Sequence, residues 1–207
     1  MRKAAFEINH KKFDDWLWSY SDFILDLIDS EKLARTKYQK SELLELAVLK
    51  VCMRWDVLIE QDIITSLNRD SSIYAKKIGL NLRKHMTRDE CEAMLIGHRF
   101  LDFRSAGDVK GFGKKHLNPK YNPFGAITGE LIKIIDNFFI IRNIVAHGSR
   151  YAWHTYTAMI KKNHSFKKIP KLGDYLLGVD RKTKNIRWTI YIEAFLETSN
   201  LMLKRVS

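Results

Sequence analysis

The chain has few of the residues that interrupt regular structure or cross-link a fold. Its 207 residues include three prolines, ten glycines and two cysteines. So little proline and glycine argues against collagen-like repeats, extended disorder and a turn-rich β-sandwich. Cys52 and Cys91 are too few for a disulfide framework and do not have a metal-ligand spacing. We therefore expect both to be buried as small hydrophobic residues.

Long apolar runs are also missing. The basic N-terminus, MRKAAFEINHKKF, lacks the apolar region of a signal peptide. The most apolar stretch, residues 131–145, is interrupted by Lys133, Asp136 and Arg142, so it is too polar for a membrane span. The sequence predicts a cytoplasmic protein that does not associate with a membrane.

Positive charge is in excess, and it is unevenly distributed. The chain has 36 Lys and Arg against 24 Asp and Glu, a net charge of +12. Residues 1–70 carry −2 and residues 71–207 carry +14, and the segment 161–187 alone carries +7. Such a field attracts polyanions, of which nucleic acid is the commonest. A solubilising surface is the alternative interpretation.

Apolar residues recur every three or four positions along most of the chain, which predicts helices. Ser41 is a candidate cap for the longest of them, and Gly148 is well placed to end the most regular one. We expect an all-α, up-and-down helical bundle in a single domain, 1–207, with 1–40 as an N-terminal helical extension. The predicted helices cover about 13–28, 41–68, 88–99, 128–147, 151–161 and 190–204.

Two segments depart from this helical pattern. Residues 103–125 contain four of the ten glycines and two of the three prolines, which predicts one long irregular loop. Residues 175–189, YLLGVDRKTKNIRWT, have a polar centre between β-branched and aromatic flanks. This alternation predicts a small basic hairpin before the last helix.

A polar cluster stands near the end of the most regular helix, in FFIIRNIVAHGSRY. Asn143 and His147 are four residues apart and therefore neighbours on one helix face, with Arg142 beside them. An arginine offers a planar fork to phosphate, and a histidine transfers protons near neutral pH. Asn143 could hold the imidazole in one tautomer. These three residues are the candidate catalytic group; a structural histidine beside a surface arginine is the alternative.

The string at 142–148, Arg-Asn-Ile-Val-Ala-His-Gly, resembles the motif of the HEPN (higher eukaryotes and prokaryotes nucleotide-binding) superfamily. Ribonuclease members of that family carry Arg-x(4–6)-His. The resemblance implies an HEPN-type bundle and a metal-independent endoribonuclease of toxin or phage-defence type. In that reaction the RNA 2′-OH attacks the phosphate and leaves 2′,3′-cyclic phosphate and 5′-OH ends. The resemblance also implies a homodimer whose two motifs line one cleft, and an antitoxin protein as partner.

Residues that follow the motif are candidates for RNA binding. Arg150 and Tyr151 come directly after it, and Tyr151 or Trp153 could stack on a base. Aromatic residues at this spacing also fill helix cores, which is the alternative. In the basic segment, the residues predicted to contact phosphates are Lys167, Lys168 and Lys171.

Metal chemistry has little support in the sequence. His147 and His154 are seven residues apart, and neither belongs to a Glu-x-x-His or His-Glu-x-x-His pattern. We therefore expect no metal and no other cofactor.

Two other functions stay open on the sequence. The chain could be a non-catalytic HEPN module that binds RNA or a nucleotide, or a helical scaffold whose basic tail docks an acidic partner. Cleavage in EDTA that depends on Arg142 and His147 would indicate the nuclease. Salt-sensitive RNA binding that survives His147→Ala, without cleavage by the unmodified chain, would indicate the binding module.

Overall fold

The structure, a computed structural model, describes residues 3–30, 36–97, 103–164 and 166–206. These residues form α-helices and two short 3-10 helices and contain no strand, which confirms the predicted all-α class. None of the helices in these ranges has the length and apolar character needed to cross a membrane. The α-helices are α1 (Lys3–Asp29), α2 (Lys37–Arg69), α3 (Ser72–Ile78), α4 (Arg88–Gly97), α5 (Ala106–His116), α6 (Gly129–His147), α7 (Arg150–Asn163), α8 (Leu172–Leu177) and α9 (Arg187–Val206).

Side-chain caps determine where the principal helices begin. The Thr36 hydroxyl accepts the backbone N–H of Gln39, and the Gln39 side chain accepts the backbone N–H of Thr36. This capping box starts α2 four residues before Ser41, so the prediction that Ser41 is the cap is wrong. Ser41 lies inside α2, where its hydroxyl donates to Glu45 and accepts the N–H of Gly173.

Aromatic packing joins the long helices into one core. The Trp55 ring of α2 meets the rings of Phe13 on α1 and Phe195 on α9 edge to face, with centroids 6.0 and 5.1 Å apart. Phe138 of α6 packs against Phe195 in the same manner at 5.3 Å. Because all four side chains are buried, helices α1, α2, α6 and α9 surround a common apolar centre. The helix within 1–40 is thus packed against the rest of the bundle.

The prediction of a long irregular loop over 103–125 is wrong. The segment contains helix α5, capped by Ser105, whose hydroxyl accepts the N–H of Asp108, and then two 3-10 turns. A Cβ atom at Gly113 would collide with the side chains of Asn122 and Phe124. Glycine therefore serves here for close packing of α5 on the turn that follows it.

The predicted hairpin is reduced to a turn. Val179 and Ile186 form a single antiparallel bridge, and the chain between them reverses without a strand on either side. The Asp180 carboxylate accepts the backbone N–H groups of Lys182 and Thr183 at 2.9 and 3.1 Å, which stabilises the turn. These hydrogen bonds hold the pKa of Asp180 below its usual value.

A buried polar network links three of the core helices. The His10 ring on α1 pairs through Nε2 with Asp62 on α2, at 2.9 Å, and through Nδ1 with Ser199 on α9, at 2.7 Å. All three side chains are fully buried, so no substrate can reach them despite their resemblance in type to a serine hydrolase triad. Burial raises the pKa of Asp62, and the hydrogen bond from His10 opposes that rise.

Removing His10 should therefore destabilise the bundle strongly. We expect His10→Ala to lower the free energy of unfolding by about 3–5 kcal/mol, because it leaves Asp62 buried without its partner. Urea unfolding followed by circular dichroism measures the change, with the exposed neighbour Lys11→Ala as the control. A loss for His10→Ala no larger than that of the control would show that the network does not stabilise the fold.

Candidate functional site

The candidate residues lie where α6 passes into α7. Helix α6 ends at Gly148, which has φ +55° and donates its N–H to the carbonyl of Ile144 at 2.7 Å. This confirms the predicted end of the helix. Ser149 then caps α7 by accepting the N–H of Ala152. Since only two residues separate the helices, the last turn of α6 and the first turn of α7 share one surface.

A groove of about 450 Å³ opens at this junction. It brings together the three predicted catalytic residues, Arg142, Asn143 and His147, with Tyr151 from the predicted RNA-binding set. His147 is exposed there, while Arg142 and Asn143 are half-buried. The full lining consists of Arg104, Ile140, Arg142, Asn143, His147, Ser149, Tyr151, Ala152 and Thr155.

The contacts within the motif differ from the prediction. Nη1 of Arg142 donates to Oδ1 of Asn143 at 3.0 Å, and the guanidinium carbon lies 5.7 Å from the centroid of the Phe139 ring. Asn143 therefore holds Arg142, and the contact expected between Asn143 and His147 is not formed. Across the described ranges, no hydrogen bond fixes the His147 ring. The guanidinium is thus positioned, whereas no described hydrogen bond orients the imidazole.

The groove is electropositive. Its described lining contains two arginines, Arg104 and Arg142, and no acidic residue. The first turn of α7 adds the exposed charge of Arg150, while the positive end of the α7 dipole is opposed by the negative end of α6, which ends at the same place. An anion of the size of a phosphate group is the ligand that these charges favour. The sequence offered no signal for Arg104, because it reaches the groove from the segment before α5.

The aromatic residues after the motif have different environments. Tyr151 is 81% exposed and lines the groove, so the core-packing alternative does not apply to it. Trp153 is 41% exposed, and its ring meets that of Tyr156 edge to face at 5.7 Å. Tyr151 is therefore the residue of the two that can stack on a base beside His147.

The predicted phosphate contacts of the basic segment are not in this groove. Lys167 and Lys168 are exposed beyond the C-terminal end of α7, and Lys171 precedes α8. Helix α7 has 14 residues and is therefore about 20 Å long. Any role of Lys167 and Lys168 is consequently at a distance from the motif, whereas Lys171 lines a separate cavity on the other side of the end of α6.

A larger cavity of about 520 Å³ lies on the other side of the end of α6. Its walls include Glu42, Glu45 and Asp174 against two lysines, Lys37 and Lys171. Lys37 is paired with Asp174 at 3.1 Å. The excess of carboxylates disfavours a phosphate ligand, so the smaller groove is the better candidate site.

The residues that the structure describes provide neither a cluster of metal ligands nor an accessible thiol. Among the described residues, no group of three His, Cys, Asp or Glu side chains is placed to hold a metal ion. Cys52 and Cys91 are buried, as predicted. Burial raises the pKa of Cys91 to about 11 and also raises the pKa of Cys52, so neither thiol is an active nucleophile.

Comparison with protein-family models, with curated proteins and with solved structures finds no match to this chain. The function must therefore be argued from the groove itself. The groove combines a positioned guanidinium, an exposed imidazole and an exposed aromatic ring. Together these groups can bind a phosphodiester, move a proton and stack on a base.

Proposed function

We propose that this chain is a metal-independent endoribonuclease of the HEPN type. The observation that carries the proposal is that Arg142 and His147 share one electropositive groove with Arg104. RNA supplies its own nucleophile, the 2′-OH, so the protein needs to supply only proton transfer and charge stabilisation. The exposed Tyr151 ring beside the motif suits an unpaired base.

The groove residues divide the reaction between them. A neutral His147 imidazole accepts the proton of the 2′-OH as the 2′-oxygen bonds to phosphorus, and a protonated His147 imidazole donates a proton to the 5′-oxygen as its bond to phosphorus breaks. The products are a 2′,3′-cyclic phosphate and a 5′-OH end. Arg142, held by Asn143, stabilises the negative charge that develops on the phosphorus oxygens, and Arg104 adds a second positive charge.

A homodimer completes this proposal. In-line displacement needs a base on one side of the phosphorus and an acid on the other, and one His147 cannot easily serve both. Two chains whose grooves face each other would supply one imidazole to each side.

The groove also favours an acidic antitoxin protein as a partner, because the motif is exposed and its described lining has no acidic side chain. Such a partner is consistent with a toxin or phage-defence role in the cytoplasm.

A non-catalytic RNA- or nucleotide-binding module is the second candidate. The observation that favours it is the His147 ring, which no described hydrogen bond orients, whereas Arg142 is held for anion binding. Both candidates use the same groove for phosphate. They differ in whether the imidazole takes part in a reaction.

His147→Ala separates the two candidates. The unmodified chain should cleave RNA in EDTA, and the variant should lose about 10²–10⁴-fold in rate while its RNA affinity stays within about twofold, since proton transfer adds little to ground-state binding. Gel analysis of cleaved tRNA and mRNA measures the rate, and Lys11→Ala, at an exposed position on α1 outside the groove, is the control. Cleavage by well-folded His147→Ala at the unmodified rate would exclude the proposed mechanism.

Arg142 and Asn143 should act as one unit. We expect Arg142→Lys to lower the single-turnover rate on the order of 10²-fold, because an ammonium cannot replace the planar fork. Asn143→Ala should be milder, since it only loosens the guanidinium. In the double variant, Asn143→Ala should add almost nothing to Arg142→Lys. Fully additive losses would mean that Asn143 acts elsewhere than through Arg142.

Activity should require the dimer. Light scattering at micromolar concentration should give twice the mass of the chain, and specific activity should fall on dilution below the dissociation constant, because each cleft needs two motifs. Arg142→Lys should not alter the measured mass. A monomer with full specific activity would contradict the two-motif cleft.

A further inference from the structure

One face of α7 forms a positively charged path that leaves the motif groove. The helix sequence, RYAWHTYTAMIKKN, contains no acidic residue. At 3.6 residues per turn, the exposed side chains other than Trp153 and Asn163 fall within about 120° of the helix circumference. Along this face, Arg150 and Tyr151 lie at the groove end, His154 follows, and Lys161 and Lys162 lie about 17 Å from Arg150 along the helix axis, towards the other end.

A second pocket lies where this path ends. It has a volume of about 220 Å³, below the 300–1,000 Å³ of sites that enclose a drug-sized ligand, so it takes a group the size of one nucleobase or phosphate. Asn163 and His164 bring the end of α7 into its wall. Phe166, 38% exposed, supplies an aromatic face, and Arg181 and Lys182 stand exposed at the rim. We call this site the distal pocket.

The distal pocket contains a buried cation without a matching anion. Arg187 is only 6% exposed, and its two terminal nitrogens donate to the carbonyls of Tyr175 and Val179, both at 3.1 Å. Its Nε has no partner, and no carboxylate among the described residues forms an ion pair with it. The Asp180 carboxylate in the wall is already bound to backbone N–H groups of its own turn. The guanidinium carbon also lies 5.3 and 4.9 Å from the ring centroids of Phe166 and Tyr175, so it already covers part of the Phe166 ring, which stays 38% exposed. Since no ion pair neutralises Arg187, its charge still favours an anion in the pocket.

We infer that α7 guides a single strand of RNA from the motif groove to the distal pocket, where Phe166 stacks on a base. Arg181, Lys182 and the buried Arg187 attract the adjoining phosphate, and Lys161 and Lys162 contact phosphates on the way. The strand must be single, because stacking on Phe166 requires an unpaired base. This inference rests on the proposed function, from which the strand is taken to be RNA. It adds the path that this RNA follows along the basic segment.

The length dependence of binding tests the path. In His147→Ala protein, fluorescence anisotropy is measured with oligouridylates of about 4 and about 16 nucleotides, the range of single-strand site sizes. Adding Lys161→Gln and Lys162→Gln should weaken binding of the long strand about tenfold, leave the short strand unchanged, and flatten the log–log salt slope by about 1.4. The matched control is Lys76→Gln with Lys77→Gln, two consecutive lysines in the last turn of α3.

The distal pocket is tested through its aromatic face. Phe166→Ala should weaken binding of the long strand about tenfold, and Phe166→Trp should retain binding because the ring face is kept. An RNA duplex should not respond to either substitution. The inference is overturned if the α7 and Phe166→Ala variants match the α3 control, or if they weaken the short strand as much as the long one.

Cleavage by the unmodified chain separates this inference from the proposed function. Length-dependent binding without any cleavage would support the path and refute the nuclease. Cleavage that depends on His147, with no effect of the α7 or Phe166→Ala variants on long-strand binding, would support the nuclease and refute the path. A failure to bind either oligouridylate would refute the path whatever the cleavage assay shows. Circular dichroism of each variant confirms that it is folded.

Discussion

The reversal of the chain at Gly148 controls which residues can meet in the candidate site. A left-handed residue ends α6, and Ser149 starts α7 at once, so the two helix termini meet with Arg142, His147 and Tyr151 on the same surface. No atom lies within 4 Å of a Cβ built at Gly148. The requirement for glycine there is therefore conformational, since other L-residues are strained at positive φ. A longer connection would separate His147 from Tyr151.

Charge and burial divide the molecule into two parts with different tasks. Edge-to-face aromatic contacts and the network of His10, Asp62 and Ser199 hold α1, α2 and α9 together where water is excluded. The other part is a positively charged surface that extends from the motif groove along α7. Since α7 packs on α6, the stable core supports this surface, and changes in surface charge can alter binding without altering the fold.

Local sequence patterns were good guides wherever neighbours along one helix determine the outcome. The 3.6-residue period placed Arg142, Asn143 and His147 on adjoining helix positions, and the structure has them in one groove. The same pattern could not decide which partner Asn143 takes, because the arginine and the histidine both lie within its reach. The guanidinium is a charged donor and forms the stronger hydrogen bond with the amide oxygen. The glycines of α5 gave rise to a wrong loop prediction for a related reason, since close packing and flexibility both select glycine.

The sequence by itself determined the all-α class, the end of α6 at Gly148, the burial of both cysteines and which polar side chains the motif carries. Each of these depends on periodicity, on one residue's backbone preference or on side-chain type. Only the tertiary structure brought Arg104 to the motif, joined His10 to Asp62 and Ser199, and placed Arg187 behind Phe166. These residues come from distant parts of the chain, and no local rule relates their positions. The packing of whole helices, which buries the most apolar surface, decides which of them become neighbours.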